Sequence, residues 1–197
     1  MTKIVFQNNK MLTLGGKLII PVQGVGPEPG PQDEVQIGDQ IWKSKNLAID
    51  DGGEGIYIQT VNYGQGDVVE YYYDWYAAVR VAATVQGWHL PTTSEWDALA
   101  TAVGGSRTAG SKLKSTTGWS ENGNGTDDFG FSAFPAGNRY SGSFYNLGRY
   151  AYFWTATEYS SPNAYYRNFS YWSASMNSSD YNKTSYAYSV RLVKDAS

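Results

Sequence analysis

The alternation of apolar and polar residues changes character along the chain. Near the start, Leu12, Leu14, Leu18 and Ile20 flank Gly15-Gly16, which predicts a small β-hairpin within residues 1–25. Alone, such a hairpin is marginal and needs a partner surface for its apolar side. Gly24-Val25-Gly26-Pro27-Glu28-Pro29-Gly30-Pro31 carries neither a helix nor a central strand, so residues 26–34 read as a linker. Val35, Ile37, Ile41 and Trp42 then alternate around Gly38-Asp39, the pattern of a second hairpin. The period next becomes helical. A first helix is expected over about Asp74–Gln86, burying Ala78, Val79, Ala82, Ala83 and Val85 and stopping at Gly87. A second is expected after Thr92, which forms a capping box with Glu95; Trp96, Leu99, Ala100 and Val103 make one apolar stripe, and Gly104-Gly105 ends it. Beyond Ala109 the helical period disappears. Short strands are expected at Phe153–Thr157, Ala164–Tyr171 and Ser185–Val193, the last with Tyr186, Tyr188, Val190 and Leu192 on one face. Two helices with short, loop-rich antiparallel strands make an α+β domain over residues 35–197.

Composition narrows the chemistry. The chain has 197 residues, enough for one domain with an appendage. Its net charge of −3 offers no basic footprint for nucleic acid. Zero Cys excludes disulfides, thiolate metal sites and Cys nucleophiles, and His89 is the single histidine. No cofactor is expected. The longest apolar run, within Lys17–Val22, is too short to span a bilayer, so membrane insertion is not expected. Met1–Lys10 has charge but no apolar core, and no secretory signal is expected there.

One stretch departs from the rest. The 50 residues from Arg139 to Tyr188 hold 11 Tyr, 10 Ser and 5 Asn. A core does not need so many Ser and Asn, and a disordered tail would not carry so many rings. Tyr supplies large, rigid contact area at low entropy cost, while Ser, Gly and Asn supply adaptable hydrogen bonding, as in antibody paratopes. An ordered polar-aromatic recognition surface is what remains, suited to a protein or to the apolar faces of sugars.

Spaced motifs add a family. Ile37-Gly38-Asp39-Gln40-Ile41-Trp42, Asn46-Leu47, Gly87-Trp88-His89-Leu90-Pro91-Thr92 with Glu95-Trp96, Gly118-Trp119, Asn124 to Ala133, Phe153 to Glu158, and Ser189-Val190-Arg191 follow one another in order. Together, over about Val35–Val193, they resemble the Fibrobacter succinogenes major paralogous domain. The resemblance implies a C-type-lectin-like fold of the formylglycine-generating-enzyme branch, with chain ends close together and a long loop region presenting a ligand surface. That branch includes the variable proteins of diversity-generating retroelements, whose C-terminal region is mutagenised at adenines. It implies a variable region at about residues 139–192, with Phe169 and Lys183 as framework. The expected ligand-binding residues are Tyr165, Tyr166, Tyr171, Trp172, Ser173, Ala174, Asn177, Ser178, Asp180, Tyr181, Thr184 and Tyr186, with Tyr140, Tyr145 and Tyr150 behind them. Trp172 does not arise from AAC or AAT while the third base stays a pyrimidine, so it is templated by another codon or is scaffold.

The implied function is a non-catalytic receptor-binding protein on a phage tail or bacterial cell surface, recognising a host cell-surface protein or glycan. A homo-oligomer, such as a trimer, would add avidity. The alternative is a fixed-sequence surface adhesin or polysaccharide-binding structural domain. Catalytic readings find little support. The enzymes of this branch use a Cys pair, which the chain lacks. Asp127-Asp128 reads as a turn cap, with calcium as the alternative, and an unrecognised enzyme would need Asp127, Asp128 and Glu158 to converge. Ser161-Pro162-Asn163 lacks the carboxylate of calcium-dependent sugar binding. Asp50-Asp51-Gly52-Gly53-Glu54 reads as a solvated turn, without the ligand spacing of an EF-hand.

Overall fold

The computed structural model describes residues 33–196. The expected hairpin over residues 1–25 and most of the linker lie outside the described residues. Within them, α-helices and small antiparallel sheets combine into an α+β fold.

The hairpin around Gly38 forms as its alternation predicts. Strands β1 (Glu34–Ile37) and β2 (Gln40–Lys43) pair with Ile37 opposite Gln40, and Gly38 turns the chain at φ 62°. The last strand, β11 (Val193–Asp195), pairs with the other edge of β2, setting Val193 opposite Trp42. One three-stranded sheet therefore joins the two ends of the domain.

A second hairpin follows, β3 (Ile56–Asn62) with β4 (Asp67–Tyr73), which the sequence pattern did not single out. Helix α1 (Trp75–Ala82) starts where Asp74 accepts a hydrogen bond from the Ala77 amide. It is shorter than the expected Asp74–Gln86. Its buried residues are Trp75, Ala77, Ala78, Val81 and Ala82, whereas the expected Val79 and Ala83 are exposed. The buried face centres on Ala78, Val81 and Ala82, with Trp75 at its edge, where its indole donates to the Thr155 carbonyl at 2.8 Å; Val79 and Ala83 fall beyond that edge. Helix α2 (Thr93–Ala102) forms as predicted: both halves of the Thr92–Glu95 capping box are present, and Trp96, Leu99, Ala100 and Val103 are buried.

A third helix, α3 (Ser106–Leu113), corrects the expectation of two. Its sequence, SRTAGSKL, interrupts good helix formers with Ser, Thr and Gly and has only Ala109 and Leu113 as an apolar pair. Tertiary contact stabilises it instead, and Gly110 allows that contact. A Cβ at Gly110 would come within 2.6 Å of the Ser175 carbonyl oxygen.

The second half contains β5 (Asn138–Tyr140), β6 (Ser143–Tyr145), β7 (Tyr150–Glu158), β8 (Asn163–Ser170), β9 (Met176–Asn182) and β10 (Tyr186–Ala187). β7, β8 and β9 form one antiparallel sheet, and β10, β5 and β6 another. The expected strand Ser185–Val193 is not continuous. Its backbone bonds in turn to Arg139–Tyr140, Tyr73, Leu47 and Lys43, so it crosses from one sheet to another. Tyr188, Val190 and Leu192 nevertheless reach one apolar cluster, with Tyr186 packed against it.

Two such clusters make most of the core, beside a small third one at Tyr72, Ala136 and Ala187. Trp42, Trp96, Phe131 and Phe153 pack together, with Trp42 and Trp96 centroids 4.8 Å apart. Trp154 centres the other, 4.4 Å from Tyr188, and its indole donates to the Tyr73 carbonyl. The fully buried Arg191 ties loops to this frame. It donates to the carbonyls of Lys43, Phe131 and Ser132 and to Asn46 Oδ1. Burial lowers its pKa to about 9, against the attraction of Glu70 and Asp127. Asn46 in turn donates to Glu70, whose carboxyl burial pushes up.

Candidate functional site

Strand alternation sorts the expected ligand residues onto two faces. In β7–β8–β9, Phe153 lies opposite Arg167, and Arg167 opposite Ser178; Tyr165 lies opposite Asp180. These share the face that looks toward α2. There the Arg167 guanidinium donates to Ser178 Oγ at 2.6 Å, to the Thr93 carbonyl and to Asp97 at 2.8 Å. Asp180 accepts from Asn163, and Tyr165 meets Tyr159 edge-on at 5.2 Å. Tyr165, Ser178 and Asp180 are therefore separated by the sheet from Tyr166, Asn177 and Tyr181.

The opposite face carries Tyr150, Tyr152, Trp154, Tyr166, Asn177 and Tyr181, by the same registers. Its rings form one array. Tyr140 stacks on Tyr186 at 4.5 Å, Tyr186 on Tyr181 at 4.3 Å, and Tyr181 lies parallel to Tyr166 at 5.6 Å. Tyr166 meets Tyr188, which stacks on Tyr152 at 5.0 Å, and Tyr152 stacks on Tyr150 at 5.2 Å. Trp172 closes the series edge-on to Tyr150 and Tyr171. Of the expected residues, Tyr166 is buried beneath this array rather than displayed on it.

Where the array opens, six tyrosines (Tyr140, Tyr145, Tyr152, Tyr181, Tyr186 and Tyr188) line a cleft of about 410 Å³. Asn138 and Asn146 complete the wall, with the Asn146 amide donating to Asn138 Oδ1 at 2.8 Å. Burial raises the phenol pKa values of Tyr152, Tyr186 and Tyr188, and neighbouring phenols add to the shift. No carboxylate, ammonium or guanidinium group lines the cleft. Sequence reasoning placed Tyr140 and Tyr145 in a second rank and missed Tyr152, Tyr188, Asn138 and Asn146. Tyr152 carried a signal, because it alternates with Ala151 and Phe153, which face the core; Tyr188 shares its face with Val190 and Leu192 and so read as core.

The remaining candidates sit in turns. Tyr171, Trp172, Ser173 and Ala174 connect β8 to β9, and Trp172 is 61% exposed. This turn is fixed from behind. The buried Lys114 ammonium donates to the carbonyls of Ser170 and Ser173, and the Ser111 amide to that of Ala174. Burial lowers the Lys114 pKa. Thr184 lies in the turn after β9, where Asn182 Oδ1 accepts from the Thr184 amide and hydroxyl and from the Ser185 amide. Lys183 beside it is buried, donating to Glu158 at 2.7 Å and to the Ser161 carbonyl.

The carboxylates considered for catalysis serve separate partners. Asp127 accepts from the Ser132 amide and hydroxyl, at a turn where its own φ is 49°; Glu158 holds Lys183. His89 is exposed and lies 2.5 Å from Glu95. Burial works to raise the Glu95 pKa, but hydrogen bonds from Thr92 and His89 outweigh it and leave the carboxyl below its usual range. Asp50 and Asp51 accept from the amides of Gly52 and Gly53, and Asp51 also binds Arg80, so this segment is a braced turn. Among the described residues, no group of three or more His, Asp or Glu is placed to hold a metal ion, and no helix is long and apolar enough to cross a membrane.

Comparison with curated proteins and with solved structures gives no match. A sequence profile of the Fibrobacter succinogenes major domain matches residues 35–194. That span runs from β1 into β11 and contains the whole aromatic array. The chain therefore belongs to the Fibrobacter succinogenes major domain family.

Proposed function

We propose that this domain is a non-catalytic receptor-binding module, a variable protein of a diversity-generating retroelement that displays a Tyr/Ser/Asn-rich surface on a phage tail or bacterial cell. The observation that carries this reading is the burial pattern after Ser170. Lys183, Ala187, Tyr188 and Val190 are buried, whereas Trp172, Ala174, Asn177, Tyr181 and Thr184 are exposed. Replaceable side chains thus stand on a fixed frame, and exposed substitutions away from special sites change stability by less than about 0.5 kcal/mol. A C-type-lectin-like architecture suits the pairing of β11 with β2, which brings the ends of the domain together. The partner is a host cell-surface protein or glycan. Residues 1–25 serve attachment or oligomerisation, and deleting Met1–Pro31 is expected to dissociate the oligomer.

The test is sequencing of the gene across a natural population. Substitutions are expected to concentrate at exposed positions from Tyr171 to Tyr186, while Phe169, Lys183, Val190 and Arg191 stay fixed. A segment as uniform as residues 35–103 would replace diversification with the fixed-sequence adhesin.

A further inference from the structure

We propose that the tyrosine cleft binds a neutral saccharide, through ring faces, phenols and one amide pair, without calcium. This rests on the reading of the aromatic face as a ligand-binding surface and specifies the chemistry of its occupant. The volume of about 410 Å³ lies in the range of small-molecule sites. No charged side chain lines it. The cation closest in sequence, Arg139, alternates to the other side of β5 and lies 3.5 Å over the Tyr57 ring, and Asp180 faces the other side of its sheet. An anionic or cationic ligand would find no counter-charge, and a bound calcium ion no carboxylate.

The polar groups select further. The Asn146 amide donates to Asn138 Oδ1, so this pair of cleft residues keeps one NH₂ donor and one side-chain carbonyl acceptor beyond their mutual bond. Vicinal sugar hydroxyls both accept and donate, and so match that pair. A proline-rich segment also suits aromatic-lined grooves, but its prolines bring carbonyls and no N–H, leaving the Asn146 acceptor unpaired. The exposed rings of Tyr140, Tyr145 and Tyr181 offer edges and faces for sugar C–H groups. Trp172 sits at the far end of the array, so a chain of several sugar units reaches a second aromatic platform.

The experiment titrates the full chain with cellotetraose, xylotetraose, mannotetraose and galactotetraose, and with tetragalacturonate and a proline decamer as contrasts, by calorimetry. Saturable binding to at least one neutral tetrasaccharide is expected, unchanged by a calcium chelator. It should weaken about tenfold in Tyr181→Ala and in Tyr140→Ala, the loss of one good aromatic contact. Tyr159→Ala, on the opposite side of the sheet, should bind normally. Urea unfolding of each variant separates lost binding from lost folding. Absence of binding to all four neutral sugars, binding indifferent to both cleft variants, or preference for the decamer or the galacturonate overturns the proposal. Population variation at residues 171–186 without sugar binding would remove the saccharide and keep the diversified receptor-binder; sugar binding by a uniform gene would keep the saccharide and remove diversification.

Discussion

The two faces of the β7–β8–β9 sheet solve different problems with adjacent residues. The face toward α2 is filled by Ala151, Phe153, Phe169 and Met176, with Arg167 spanning to the helix. The other face is tyrosine on tyrosine, buried near Tyr188 and opening to solvent at Tyr181. One side excludes water with shape; the other keeps a phenol, or at Trp154 an indole N–H, on each ring and grades from core to surface. A frame that holds the first side rigid leaves the outer edge of the second free to change.

The comparison breaks most visibly at Phe169. Phe169→Ala removes a fully buried ring 6.2 Å from Phe153 and should cost about 3–5 kcal/mol in urea unfolding. A loss below about 1 kcal/mol would mean that this side is not the frame. Arg167→Ala should cost about 2 kcal/mol, because it removes a buried group that satisfies Ser178, the Thr93 carbonyl and Asp97 together.

The tyrosine face should differ in its response to alkali. Tyr188 is buried among phenols, and its pKa is raised above the ordinary value of 10. The folded state then keeps a proton that the unfolded phenol releases. The stability this contributes is complete below pH 10 and is lost as pH rises above it. At pH 11 the loss should be on the order of 1 kcal/mol for this group. Tyr188→Phe should reduce the fall in urea midpoint between pH 9 and pH 11, and an undiminished fall would place the titration elsewhere.

Much of the frame was legible because its signals are local. Gly38, the Thr92–Glu95 capping box and the Trp96–Val103 stripe each fix a conformation within a few residues. Helix α3 was not legible, because its stability comes from the packing of Gly110 against a turn some 65 residues away in sequence. The site was legible as a composition but not as a surface. Treating Tyr165 to Tyr186 as one display ignored the two-residue period of a strand. That period was unreadable without knowing that the chain turns at Tyr171 and re-enters the sheet with Met176 opposite Phe169. Once the register is fixed, Tyr165, Ser178 and Asp180 go to one side and Asn177 and Tyr181 to the other.

The sharpest test of that register compares two neighbours of similar polarity. Asn177 and Ser178 are both exposed and both belong to the segment expected to vary. Asn177 lies opposite Asn168 on the tyrosine side, while Ser178 Oγ accepts from the buried Arg167. Asn177→Ala should therefore change unfolding free energy by less than about 0.5 kcal/mol. Ser178→Ala should cost about 1 kcal/mol, since it strips a hydrogen bond from a buried cation. That penalty should vanish in an Arg167→Ala background, where the partner is already gone. Equal small effects at the two positions would mean that the helix-facing side of β9 is as free to vary as the tyrosine side, and that the frame ends at β8. A cost at Ser178 alone would make variation on β9 alternate along the strand, with Asn177, Ser179 and Tyr181 free and the positions between them constrained.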